Sequence, residues 1–385
     1  MRVLILSCNT GEGHNSCGKA LLEEFQANQI PCEMDDAFRF ISPWISHMIS
    51  FGFVRIYRYM PGLFRFGYRY SEEHPGVFKT DSGIYKILTA GADRLHRFIR
   101  ENGYDAIICT HVFSALIVSE ILRRHSLSAR TYFVATDYTC SPSCGQSTLD
   151  TYFIPDASIA GEFVSCGIPE EKLVASGIPI RRAFFKTMPQ AAAKESCGLP
   201  PESRHLMVMC GSMGCGPIRT LVRQIAESLP ENSHVSVICG TNQRLRKHLD
   251  RDHAQTPHVH IYSYVNDIPR MMDSADLYLT KPGGISVTEA AHKHLPMLFV
   301  DAVAGCEAYN MRFFIERGTA VTAATAEELA AKAISLMGDE AALNQMKQHF
   351  SYPDHSPAAE IAAHVIRAGS AIPVPKEHVS CTLAQ

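Results

Sequence analysis

The sequence predicts an α/β protein built from two doubly wound domains that face one another across a cleft. Three observations carry this. At 385 residues the chain exceeds the ~100–200 residues of an ordinary domain. Short apolar runs alternate with helical patterns, a β-α-β rhythm that implies parallel strands covered by helices. The rhythm breaks once, over residues 188–203, where three prolines and several small residues stand, and then restarts.

In the first half, residues 3–7 read as a strand, followed by a glycine-containing turn and a helical stretch over 16–28. A second strand at 106–109 leads into a helix over 114–125. A third lies at 130–135, and a fourth at 150–154 precedes a helix over 158–166. After the break come a strand at 205–210, a helix over 218–228, a strand at 235–238 and a helix over 243–252. Short strands follow at 258–262, 277–280 and 297–300. A last helical stretch, 358–368, comes after Pro353 and Pro357, and the final residues read as a loose tail. Each half is therefore expected to be a Rossmann-like sheet that binds ligands at the carboxyl ends of its strands. The expected units are 1–187, a linker 188–203, 204–355, and a C-terminal helix and tail 356–385.

Composition narrows the function classes. Hydrophobic residues make up 46% of the chain and charged residues 19%, enough to bury a sizeable core. Lys+Arg number 36 against 39 Asp+Glu, so the strongly basic domain of a dedicated nucleic-acid binder is missing and no nucleic-acid partner is expected. The 13 cysteines are odd in number and scattered, as reduced cytosolic thiols are. The apolar run at the N-terminus is too short for a signal-peptide core, and no uncharged stretch reaches the ~18 residues of a membrane span. The expectation is a cytoplasmic protein, soluble or peripheral.

Residues 37–70 interrupt the α/β rhythm. They contain eleven aromatics, among them Trp44, the only tryptophan, and no acid; Arg39, Arg55, Arg58, Arg65 and Arg69 punctuate them. Aromatic rings and cationic side chains anchor together at the headgroup boundary of a bilayer, so the segment is expected to face an anionic membrane. An amphipathic hairpin folded onto its own domain, or a surface for single-stranded nucleic acid, are the alternatives.

Glycine-bearing loops follow several strands. Residues 10–16 (TGEGHNS) open the first helix. They are not a dinucleotide fingerprint, because Ser16 stands where the third glycine would be. Gly13 leaves backbone bare, and His14 offers an imidazole that titrates near neutral pH. Residues 281–290 (KPGGISVTEA) place Gly283, Gly284, Ile285 and Ser286 at a helix start, where amides and helix dipole suit a pyrophosphate. Glu289 can accept two ribose hydroxyls, or simply complement the dipole. Residues 301–310 place Glu307 and Asn310 at the same sheet edge. Residues 210–217 (CGSMGCGP) add Ser212 and Gly214. Three such loops at one edge point to a nucleotide-sugar site.

The set GEGH at 11–14, TDYT at 136–139, GSMGCGP at 211–217, CGTN at 239–242, KPGG with TEA at 281–290 and GCEAYN at 305–310 resembles glycosyltransferase family 28. Within it the set is most similar to the monogalactosyl- and glucosyl-diacylglycerol synthases. The likeness keeps motif order from residue 1 to about 320. It implies a GT-B fold, an N-terminal acceptor (lipid) domain, a C-terminal UDP-sugar domain, and inversion at the anomeric carbon. Carried over residue by residue, His14 matches the family's base, Glu289 the ribose-binding acid, and Glu307 and Asn310 the residues facing the donor sugar. Ser141 and Cys144 stand roughly where plant-type members have His and Trp, and Cys306 where many have Gln.

The expected reaction places UDP-hexose on the C-terminal loops, with its pyrophosphate over residues 283–286. A diacylglycerol hydroxyl enters along 37–70 at the inner face of the cell membrane. His14, helped by Asp137, removes the hydroxyl proton, and backbone amides with Arg219 meet the leaving-group charge. No cofactor or metal is expected. Asp250 and Asp252 read as a solvated helix face, and the spacings of Cys140/Cys144 and Cys210/Cys215 do not suit zinc. The alternatives are a lipid II-type N-acetylglucosaminyltransferase and a non-catalytic UDP-sugar sensor.

Overall fold

The computed structural model describes residues 1–8, 12–42, 60–211, 216–300, 305–351 and 355–370. Trp44, Arg55, Arg58, Ser212, Gly214 and the tail from 371 lie outside the described residues. Among the described residues, twelve strands form two six-stranded sheets in which every pairing is parallel. The first contains β1 (Val3–Ser7), β2 (Cys32–Asp36), β3 (Ala106–Cys109), β4 (Arg130–Val134), β5 (Thr151–Ile154) and β6 (Leu173–Ala175), in the order β2-β1-β3-β4-β5-β6. The second contains β7 (Arg204–Met209), β8 (Ser233–Ile238), β9 (Val259–Tyr262), β10 (Leu277–Thr280), β11 (Met297–Phe299) and β12 (Ala320–Thr322), in the order β12-β11-β10-β7-β8-β9. The chain changes direction across each sheet beside its first strand, between β1 and β3 and between β7 and β10. In a doubly wound sheet a crevice forms beside such a point, at the strand carboxyl ends.

The central strands are apolar on both faces because helices cover both; β1 and β3 are buried throughout. Three strands lie outside the runs read from the sequence: β2, which is polar, and β6 and β12, which are only three residues long. Each is an edge strand with half-exposed residues. One flank of such a strand faces solvent, so its sequence (CEMDD in β2) need not be apolar.

One expected segment differs in the structure, and the expected C-terminal helix finds its partner. Residues 188–203 are not a bare linker. They include the helix Gln190–Ser196, packed on the helix Ile268–Ser274, and the buried Lys194, which pairs with Asp276 at 3.0 Å and donates to the Ser203 carbonyl at 2.6 Å. This stretch is a layer of the second domain. The helix Pro357–Ser370 returns to the first domain and lies along the helix Glu12–Ala27. There Ala358, Ile361, Ala362 and Val365 are fully buried, and the His364 ring meets Tyr132 and Phe153 edge-on.

The aromatic insert also begins later than expected. Ala37, Phe38, Phe40 and Ile41 belong to the core, with Phe38 against Phe113 and Phe40 against Phe98. Arg39 pairs with Asp35 at 2.6 Å. These rings are therefore not available to a membrane.

Candidate active site

The first crevice is organised by His14. Its helix, Glu12–Ala27, follows β1, and Glu12 in the first turn complements the helix dipole. His14 Nδ1 lies 3.0 Å from the Thr110 carbonyl, which follows β3, and 2.9 Å from Thr136 Oγ1, which follows β4. A carbonyl only accepts, so Nδ1 carries the proton, shared with the Thr136 hydroxyl, and Nε2 holds the lone pair. Burial lowers the His14 pKa below its ordinary value, while Asp137 and the Thr110 carbonyl oppose this. The His111 ring packs edge-on at 4.4 Å and is itself held neutral by burial. At neutral pH this is a neutral imidazole whose Nε2 lone pair has no hydrogen-bond partner among the described residues, the form a general base requires.

The loop after β4 joins the two domains. Tyr138 is buried in the second domain: its N–H donates to Asn310 Oδ1 at 2.7 Å, its hydroxyl meets Thr288 Oγ1 at 2.9 Å, and its ring packs on Phe313 and Phe314. Asp137 Oδ1 accepts from Asn310 Nδ2 at 2.8 Å. Burial raises the Asp137 pKa; His14 and the Asn310 amide counter it. Gly284 is part of the same contact. A Cβ there would sit 2.0 Å from the Thr136 carbonyl oxygen and 2.9 Å from Asp137 Oδ1. The missing side chain of Gly284 makes room for the opposite domain. Gly13 faces the same helix, 3.5 Å from Ile285 Cγ1 to where its Cβ would be, an ordinary contact that any small residue could make.

At the second crevice, Lys281 runs across Gly211, whose Cβ would lie 2.8 Å from Lys281 Cε and whose φ is +70°. Lys281 Nζ donates to the buried Glu307 Oε1 at 2.7 Å, close beside Gly283. Ser286 is hydrogen-bonded to Tyr278. Glu289 is buried, and that burial raises its pKa to about 8, with Arg181 of the first domain opposing. Asn310 differs from its expected sugar-facing place. It is fully buried, with Oδ1 on Tyr138 N and Nδ2 on Asp137 and the Pro282 carbonyl at 3.0 Å. In this arrangement it links the domains. Arg219, in the first turn of the helix Ile218–Ala226, is in an exposed pair with Asp252 (Nη2–Oδ1 3.1 Å). Among the described residues, no group of three or more His, Cys, Asp or Glu side chains is placed to hold a metal ion.

The structure thus gathers His14, Asp137, Gly284, Ile285, Glu307 and Asn310 where the two domains meet. It adds residues the sequence did not single out: Thr110, Thr136, Tyr138, Lys281 and Tyr68. Tyr138 was within sight, inside the TDYT block, but nothing in one sequence says that a loop tyrosine will plug a second domain.

Known proteins resemble this chain over most of its length. Residues 14–180 match the monogalactosyldiacylglycerol (MGDG) synthase family, and residues 205–363 match the glycosyltransferase family 28 C-terminal domain. A relative from Bacillus licheniformis described as a processive diacylglycerol beta-glucosyltransferase is 28% identical, covering 93% of this chain and 92% of its own. The protein of the same description from Bacillus subtilis is 27% identical over 90% of each. Among solved structures, Acinetobacter baumannii MurG superposes with a TM-score of 0.64 at 12% identity, over 95% of this chain and 99% of that one. The S. aureus MnaA–UDP complex superposes with 0.62 at 13%, over 97% and 98%. These likenesses show the GT-B fold. With one family matched on each side of the cleft, the chain belongs to glycosyltransferase family 28, in its monogalactosyldiacylglycerol synthase and diacylglycerol glucosyltransferase branch.

Proposed function

We propose that the enzyme transfers a hexose, glucose or galactose, from a UDP-sugar to the free hydroxyl of diacylglycerol at the inner face of the cell membrane, with inversion. The observation that carries this is the tautomer of His14: Nδ1–H is committed to the Thr110 carbonyl and the Thr136 hydroxyl, and the lone pair of Nε2 is left to take a proton. The acceptor oxygen attacks C1 as its proton passes to Nε2. The bond from C1 to the phosphate oxygen breaks, and UDP departs with the electron pair. Asp137 stabilises the imidazolium that forms. Glu289 receives the ribose hydroxyls, amides at 283–286 receive the pyrophosphate, and Glu307, oriented by Lys281, faces the sugar. No metal or other cofactor takes part in this scheme. The names of the relatives favour glucose, and a β-linked product from an α-linked donor is inversion.

The acceptor side has a matching surface. No helix among the described residues is long and apolar enough to cross a membrane. The helix Pro61–Glu73 instead holds Leu63, Phe66 and Tyr70 exposed beside Arg65 and Arg69, and Ile84 and Ile87 are exposed nearby in sequence. Apolar and cationic side chains together suit an anionic bilayer surface.

The test is incubation with radiolabelled UDP-glucose, UDP-galactose or UDP-N-acetylglucosamine and diacylglycerol vesicles. Hexose label in the lipid phase supports the proposal and names the sugar. Transfer of N-acetylglucosamine alone supports a lipid II-type enzyme. Tight UDP binding with no product supports a sensor.

A further inference from the structure

We propose that Tyr68 is a positioning residue of the transfer site, and that the helix Pro61–Glu73 carrying it is a latch from the acceptor domain onto the donor-side loop. This deepens the transfer reading above and rests on it.

The helix Pro61–Glu73 is short, and most of its described side chains are exposed. It has thirteen residues and starts at a proline, and an isolated helix of ~12–15 residues is marginal in water. Of its described side chains, only Tyr68 and Ser71 are not exposed. The Ser71 hydroxyl donates to the Tyr68 carbonyl of its own helix at 2.6 Å, so it ties the helix to nothing else. Tyr68 reaches the other domain. Its ring lies against Gly305, where a Cβ would sit 2.7 Å from Cγ and Cδ2. Gly305 has φ of +64°, so glycine is required there both for conformation and for space. It caps the helix Cys306–Glu316, which carries Glu307 and Asn310.

One helical turn beyond Tyr68, on the same face, Glu72 Oε1 accepts from the Tyr309 hydroxyl at 2.9 Å. Tyr68 and Glu72 together grip the loop and first turn that hold the donor-side residues. The Tyr68 phenol is shielded from water, which pushes its pKa well up, and Cys306 and Asp137 are the ionisable neighbours that contribute most. Asp137 is the carboxylate beside His14. One short helix therefore touches Gly305 and Tyr309 of the donor domain, lies within electrostatic reach of Asp137, and presents Leu63, Phe66 and Tyr70 to the outside. Seating that apolar face on a lipid surface would hold Tyr68 over the site, keep water from the donor sugar and align the acceptor.

The test compares wild type, Tyr68→Phe and Tyr68→Ala with UDP-sugar and diacylglycerol vesicles, measuring glycolipid formed and free sugar released. Tyr68→Ala should raise the ratio of released sugar to glycolipid roughly tenfold, as a misaligned acceptor and an unsealed site lose transfer to water. Tyr68→Phe, which keeps the ring over Gly305, should stay within about twofold. Amide hydrogen exchange over 61–73, measured in the same proteins without substrate, should quicken in Tyr68→Ala and in Tyr309→Phe. An unchanged product ratio, or unchanged exchange in Tyr68→Ala, overturns the proposal. A wild type that makes no glycolipid while its 61–73 exchange still responds to Tyr68→Ala overturns the transfer reading and leaves the latch in place.

Discussion

His14 and Glu289 face opposite requirements with the same device, burial. For an imidazole, desolvation disfavours the charged form and lowers the pKa; for a carboxyl it raises it. His14 is thereby kept neutral and ready to accept a proton. Replacing it with alanine should reduce turnover by ~10²–10⁴-fold with UDP affinity nearly unchanged, read by initial rates and calorimetry. Because its pKa lies below the ordinary 6.5, the acid limb of the rate profile should fall below pH 6.5. Activity is lost as pH drops through that value, since protonated His14 accepts nothing. Glu289, at about 8, is mostly protonated at pH 7. If the ribose hydroxyls donate to its carboxylate, UDP binding should release a proton and tighten as pH rises towards 8, levelling above it. Glu289→Gln should remove both effects, as calorimetry in buffers of different ionisation enthalpy will show.

At the scale of elements, the glycines of the 281–290 block were legible as special, but their purpose was not. Their pattern says that a backbone must be bare; whether a phosphate or the Thr136 carbonyl comes close depends on an element 148 residues away in sequence. Gly284→Ala would push the two domains apart at the Thr136–Asp137 loop. It should cost about 1–3 kcal/mol of stability and lower turnover more than it lowers UDP affinity. The aromatic insert divides in the same way. Its composition was plain, yet Phe38 and Phe40 serve the core while Leu63, Phe66 and Tyr70 are exposed. Burying such a side chain contributes ~1.5–3 kcal/mol. Leu63→Asp and Phe66→Asp should each weaken flotation with anionic vesicles by ten-fold or more, whereas Phe40→Leu should leave flotation unchanged and lower the melting temperature.

Across the whole molecule, the last helix completes the first domain. Ile361 is fully buried against it, so Ile361→Ala should cost ~2–5 kcal/mol and lower the melting temperature, although the residue is distant in sequence from the domain it stabilises. The central strands were legible because a parallel sheet covered on both faces needs continuous apolar runs. β2, β6 and β12 were not, because an edge strand draws its place from its neighbour's hydrogen bonds. His14, Glu289 and Glu307 could be named from loops that follow strands, since parallel sheets deliver such loops to one edge, and Asp137 from the TDYT block that carries the family resemblance. Tyr138 and Tyr68 could not, because their partners lie in the other domain. Periodicity and loop chemistry are properties of neighbouring residues, and by themselves they determined two sheets, two crevices, and the acid, base and glycine types at each. The tertiary structure alone decided that Tyr138 plugs the second domain, that Asn310 clasps Asp137, that Arg219 turns to the surface and that Tyr68 covers Gly305. Each is a contact between segments far apart in the chain, set by how the two domains pack and not by any residue's neighbours in sequence.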